Sequence, residues 1–196
     1  MELLWVLAGL VAAGLTLLGG TIYVRAVWRR TSSTRWSSWM IWTITSVTSL
    51  ATYYGSGARE SAWVPVAYVV VCGSIFIVAL LRRSPGGLTN IEYLCLFGAG
   101  LSGAVWWVSG SAIYGQLASV AIEVIAYVPI WMAARHEHRL AWSLETAGSV
   151  VNLLAISQLT LGLVLYPVAL LASNGLVLGL IVWHSRQKHL EPALAA

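Results

Sequence analysis

Long apolar runs, broken by short clusters of Arg, Ser, Gly and Pro, organise this chain from end to end. A helix needs roughly 20 mainly apolar residues to cross the hydrocarbon of a bilayer. Seven runs of about that length are present, over 3–28, 36–55, 62–81, 91–108, 112–134, 140–158 and 163–183. Lipid offers backbone groups no hydrogen-bond partners, so the pattern predicts helices rather than strands. The connections are too short to fold separately, and 1–196 reads as a single membrane domain. The first run lacks a basic leader and passes straight into a cationic loop, which reads as a retained span rather than a cleaved signal peptide.

Composition sharpens this picture. The chain is 59% hydrophobic and 9% charged and contains no Asp, too little charge for a water-soluble domain of 196 residues. Of its 11 Lys and Arg, nine fall in alternate connections or the tail: Arg29, Arg30, Arg35, Arg82, Arg83, Arg135, Arg139, Arg186 and Lys188. Arg59 lies on the other side and Arg25 within the first run. The positive-inside rule makes the nine cytoplasmic and the number of spans odd. The expected setting is a bacterial plasma membrane, with the amino terminus outside and the carboxy terminus inside. The cationic excess then reports topology and attraction to anionic headgroups, and nucleic acid is not an expected partner. Cys72 and Cys95 both fall within spans, as small apolar residues do.

The chain also repeats itself. Residues 21–50 set against 124–153, a shift of 103, give seven identities in 30 pairs: Ile22/Ile125, Trp28/Trp131, Trp39/Trp142, Thr43/Thr146, Ser46/Ser149, Val47/Val150 and Leu50/Leu153. At a shift of 102, Pro65-Val66-Ala67 with Cys72-Gly73 matches Pro167-Val168-Ala169 with Asn174-Gly175. Spans 1–3 (about 3–83) thus correspond to spans 5–7 (about 112–185), and the span over 91–108 links them. Internal repeats of this kind set the fold. A three-span unit has odd parity, and the extra fourth span restores its orientation. The expected fold is therefore an all-α integral membrane protein of seven transmembrane helices in a 3+1+3 arrangement, its triple-helix repeats parallel about the membrane normal.

In architecture and topology, over nearly its whole length, the chain resembles the SWEET and PQ-loop superfamily of seven-span transporters and receptors. It lacks the Pro-Gln dipeptide, and of the hinge prolines that such sugar facilitators carry on spans 1, 2, 5 and 6 only Pro129 has a counterpart. Pro65 and Pro167 sit in the first turn of their spans, where proline causes no kink. The resemblance implies that Asn174 and Cys72 stand where sugar facilitators place a pair of asparagines. It implies that Tyr53 or Tyr54, and Gln158, stand where those proteins place aromatic side chains. Trp39 and Trp42, one turn apart, resemble the Trp-x-x-Trp of vitamin carriers of the PnuC type, which implies an aromatic solute as an alternative to a sugar.

Depth selects the same region independently of the resemblance. Cys72 and Asn174 each lie seven residues past a matched proline, roughly 10 Å further in at 1.5 Å per residue. Ser49 and Asn152 are repeat equivalents towards mid-depth, with Ser46 and Ser149 one turn away. Each of these polar groups serves either a pocket or helix-to-helix hydrogen bonding. Glu123 lies about 11 residues into span 5, where a carboxylate costs several kcal/mol unless protonated, paired or wet. It reads as a proton-coupling group, a cation contact, or a protonated acid bonded to a neighbouring span. Arg25 and Glu145 lie about one turn inside the cytoplasmic ends of spans 1 and 6 and form a candidate inner gate; Arg25 alternatively snorkels to the headgroups.

Other chemistries find little support. The only Lys, Lys188, lies beyond the last span, which argues against a retinal protein. His136 and His138 flank Glu137 in a connection that reads as solvated, and two imidazoles do not complete a metal site. No phosphate loop or nucleophile motif occurs. The expectation is a carrier, not an enzyme, without cofactor or metal, moving a sugar-like or aromatic, vitamin-like neutral solute by alternating access. The rival is a non-transporting receptor or subunit that holds a partner membrane protein, as a homo-oligomer or in a larger complex. The missing hinge prolines favour the rival, and the repeat-equivalent polar residues favour the carrier.

Overall fold

The computed structural model describes residues 2–32, 34–84 and 89–194. Met1, Ser33, the 85–88 connection and the last two residues, which the sequence reading includes in the single domain, lie outside the described residues. The described residues form seven α-helices and two short 3-10 turns, with no strand. The helices are α1 (Glu2–Trp28), α2 (Trp36–Gly55), α3 (Trp63–Leu81), α4 (Asn90–Ser109), α5 (Ala112–Ala133), α6 (Arg139–Leu153) and α7 (Leu161–Leu194). Four segments are long and apolar enough to cross a membrane: Glu2–Trp28, Glu60–Leu81, Ala112–His136 and Leu161–Gln187.

Most helix ends coincide with the edges of the apolar runs; α6 and α7 do not. α6 stops at Leu153 rather than 158, its last carbonyls closed by tight bonds from Leu154 N to Val151 O and from Ala155 N to Asn152 O. Apolarity continues through Leu154, Ala155 and Ile156, but it reports burial and not helicity. α7 runs past 183 for the converse reason: polar His184, Ser185, Arg186 and Gln187 end the apolar run without ending the helix.

Local chemistry fixes several ends. Thr89 and Glu92 form a reciprocal capping box at the start of α4, and Gly110 (φ 62°) closes it in the left-handed region. Arg30 (φ 58°) and Arg83 (φ 51°) end α1 and α3 in the same conformation, with Thr31 N bonded to Ala26 O and Ser84 N to Ala79 O. Glu92 also reaches α2: it accepts from Ser37 (2.6 Å) and Ser38 (3.2 Å) and pairs with Arg35 at 3.4 Å.

Packing pairs α1 with α3 and α6, α2 with α3 and α5, and α7 with α5 and α6, while α4 lies against α5 and α2. Small residues let α1 approach α3 and the Glu60–Ala62 turn before it: a Cβ on Gly9 would enter the Glu60 carbonyl of that turn, and one on Gly20 the Val71 side chain of α3. Large apolar side chains such as Leu10, Leu17, Val70, Phe97 and Leu176 face outward. Thr16, Thr45, Ser49, Gln116, Ser119, Asn152 and Asn174 are fully or almost fully buried. Apolar outside and polar inside is the distribution that a hydrocarbon solvent demands.

Candidate solute site

Two helix faces build the site. Along α2 the buried residues Trp39, Trp42, Thr45, Ser46, Ser49, Thr52 and Tyr53 recur every three or four positions, and along α6 so do Ala141, Trp142, Glu145, Gly148, Ser149 and Asn152. The shift of 103 turns Trp39 into Trp142, Trp42 into Glu145, Ser46 into Ser149 and Ser49 into Asn152. The two faces share a plan, with one conspicuous exchange of a tryptophan for a carboxylate.

The polar residues near the middle of these helices meet in pairs. The Ser46 hydroxyl donates to Cys72 Sγ at 3.8 Å, and in the corresponding place Asn174 Nδ2 donates to Ser149 Oγ at 3.0 Å. Asn174 goes further: its Nδ2 also donates to the Tyr68 hydroxyl (2.8 Å), and its Oδ1 accepts from the Tyr127 hydroxyl (2.6 Å). Three of the amide's four hydrogen-bonding positions are thereby filled, from α3, α5 and α6. The amide fixes two phenols.

Those phenol rings line a cavity nearer the basic end of the helices, among Gly19, Gly20 and Tyr23 of α1, Trp39 and Trp42 of α2, Tyr68, Val71 and Ile75 of α3, Tyr127 of α5, and Ala141, Trp142 and Glu145 of α6. Trp42 is central: its ring lies 4.9 Å from Trp39 and 6.3 Å from Trp142, both edge-on, and 4.6 Å from Tyr127. Tyr23 closes the ring at 5.0 Å from Trp39. The free space between these side chains is about 330 Å³, much of it crevice, and its open core holds about one water molecule. Trp39 Nε1, Trp42 Nε1 and Glu145 Oε2 are buried without hydrogen-bond partners.

Of the residues singled out in the sequence, Trp39, Trp42 and Glu145 line this cavity. Asn174 and Cys72 stand behind it, Asn174 through Tyr68 and Tyr127 and Cys72 through Ser46. Glu123 is buried rather than facing lipid, but it lies beside Ser49 and does not line the cavity. Ser49 Oγ and both amide atoms of Asn152 are buried without partners. Tyr53 sits at the opposite end, its hydroxyl bonded to Ser61 Oγ (2.8 Å) and to the Leu163 carbonyl (3.1 Å). Tyr54 is exposed, with the Arg59 guanidinium 4.4 Å above its ring.

Two expectations need correction. Arg25 and Glu145 do not form an inner gate: Arg25 is exposed and makes no ion pair with the buried Glu145. Arg25 is two residues from the buried Tyr23, and two helical residues turn through roughly 200°, to the opposite face. Opposite Glu145, α1 instead presents Gly19, whose Cβ position lies 3.1 Å from Glu145 Oε1. Gln158 is exposed in the connection after α6, because that helix ends five residues earlier than the apolar run.

In the connection around Glu137, Arg135 and His136 are exposed, as a solvated connection requires, but Glu137 itself turns inward. Glu137 is buried and accepts from Trp142 Nε1 at 3.0 Å. Burial pushes its carboxyl up to about 7, opposed by hydrogen bonds from Trp142 and Tyr23. It anchors one wall of the cavity from outside. The sequence reading also passed over Tyr23, Tyr68, Tyr127 and Trp142; the pairing of Trp142 with Trp39 was the available signal. Among the described residues no group of three or more His, Cys, Asp or Glu is placed to hold a metal. No family model matches the chain, nor does any curated protein or solved structure.

Proposed function

We propose that this protein is an integral membrane carrier for a small organic solute, built as two parallel three-helix repeats joined by α4, with the aromatic cavity as its solute site. The architecture is supported by the packing plan: exchanging α1, α2 and α3 for α5, α6 and α7 maps α1–α3 onto α5–α7, α2–α3 onto α6–α7, and α1–α6 onto α5–α2. α4 is left without a counterpart, as a linking span is. α2 misses the composition of a membrane span through its Ser and Thr, and α6 through its 15 residues. Both carry the polar inward face, which is where a carrier needs it.

The single observation that carries the reading is the cavity itself. Its lining comes from both helix triplets, α1, α2 and α3 on one side and α5 and α6 on the other, where a parallel-repeat carrier binds its solute. The receptor reading rests on one observation, that Pro129 is the only proline of α1, α2, α5 and α6. A thermal-shift screen of the purified full chain against sugars, nucleosides, vitamins, amino acids and organic cations decides between them, since a ligand of the folded state raises its apparent stability. The carrier reading expects a small molecule to stabilise the chain. Stabilisation only by a co-purifying membrane protein would favour the receptor.

A further inference from the structure

We infer that the solute held in this cavity is a compact organic cation with a quaternary or tertiary ammonium head, bound between the Glu145 carboxylate and the faces of Trp42, Trp142 and Tyr127. The inference rests on the carrier reading above and narrows its substrate class from small organic solutes to cations.

Three features point the same way. The lining is a cage of aromatic rings contributed by separate helices: Tyr23, Trp39, Trp42, Tyr68, Tyr127 and Trp142. Ring faces attract a cation electrostatically, most strongly where water is excluded, and tryptophan serves best. The cage holds one acid, Glu145, which is 7% exposed and has an oxygen without a partner. Arg25 of α1, the cation set against Glu145 by depth, is exposed, so that helix supplies Glu145 with no ion pair. Finally, part of the polar lining is already engaged: the Tyr127 hydroxyl donates to Asn174, the Tyr68 hydroxyl accepts from it, and Trp142 Nε1 donates to Glu137, which leaves Trp39 Nε1 and Trp42 Nε1 as free donors, fewer partners than the several hydroxyls of a sugar require.

A neutral hydroxylated solute would leave its own donors and acceptors short of partners in such a lining, at about 1–3 kcal/mol for each buried group. A quaternary ammonium has no hydrogen bonds to satisfy. It needs a countercharge and polarisable walls, which Glu145 and the rings provide. The exchange of Trp42 for Glu145 at the shift of 103 makes the site one-sided, with a tryptophan from α2 and a carboxylate from α6 in the same lining. Since the open core has room for about one water, entry requires the rings to part.

The test uses the purified full chain and its tryptophan fluorescence, titrated with choline, tetramethylammonium, glucose, and 3,3-dimethylbutan-1-ol, the neutral carbon isostere of choline. The inference expects choline and tetramethylammonium to bind, and the isostere to bind at least tenfold more weakly than choline. Glu145→Gln should lower choline affinity at least tenfold while leaving the isostere unaffected, a split that a merely destabilised fold would not give. Trp42→Phe, which retains a weaker aromatic face, should lower choline affinity by less. If neither cation binds, or the isostere matches choline, the inference is overturned. Binding of glucose with no response to the cations overturns it while leaving the carrier reading intact. No binding by any compound here or in the wider screen defeats both.

Discussion

Asn174 shows what one residue contributes beyond its own contacts. Its amide joins Tyr127, Tyr68 and Ser149 at 2.6–3.0 Å, whereas its repeat equivalent, Cys72, receives one weak bond from Ser46 at 3.8 Å. Asn174→Ala takes the acceptor from the Tyr127 hydroxyl and the donor from the Tyr68 hydroxyl, while Ser149 keeps its bond to the Glu145 carbonyl, and should cost about 1–3 kcal/mol. Cys72→Ala should cost less than Asn174→Ala, and thermal unfolding of the two variants in the same detergent checks the order. Glu137 predicts a pH dependence. Its carboxyl lies at about 7 in the fold against an ordinary 4.5, so between these values the folded state holds a proton that the unfolded state has lost. Its contribution is therefore fully present below about 4.5 and is lost as pH rises through about 7. Arg30, Arg35, Arg135 and His136 border the same crevices; Glu137→Gln isolates the effect. Melting temperature measured from pH 4.5 to 8 should fall less steeply in the variant, and equal slopes would show that this group does not titrate in the window.

At the scale of elements, what was legible in the sequence is what hydrophobicity dictates. Seven helices stand where seven apolar runs lie, and four of the described segments are long and apolar enough to cross a membrane, where a run must satisfy its own backbone. The ends of α6 and α7 were not legible, since apolar Leu154 and Ile156 lie past one helix and polar Arg186 and Gln187 continue the other. The resemblance to vitamin carriers singled out Trp39 and Trp42, and depth Glu145, but depth did not reveal rotation, so Arg25 was set against Glu145 although it is exposed. Nor did it reveal the phenols, whose spacing matches that of packing residues until Asn174 is seen to hold them. Helix approach gives a sharp test on α1. Gly9→Ala drives a methyl group into the Glu60 carbonyl and should destabilise by about 1–3 kcal/mol. Gly14→Ala meets nothing within 4 Å and should be neutral or stabilising by up to about 1 kcal/mol. Chemical denaturation of both would contradict the packing of α1 against the Glu60–Ala62 turn if the two responded alike.

For the whole molecule, the proposal is two equivalent triplets closing on an aromatic cavity, with nine cations gathered at one end. The charge distribution predicts that a tag before Met1 is reached only from outside the cell and one after Ala196 only from the cytoplasm. Accessibility labelling that found both on one face would remove the odd number of spans, and the parallel repeat with it. The most direct test of the central claim is solute flux. Proteoliposomes of the purified chain should take up the best-binding compound of the thermal-shift screen with saturable kinetics, and Trp42→Ala should abolish uptake while the variant still folds. A compound that binds tightly but never crosses, or flux unchanged when Trp42 is removed, would contradict a carrier working through this cavity.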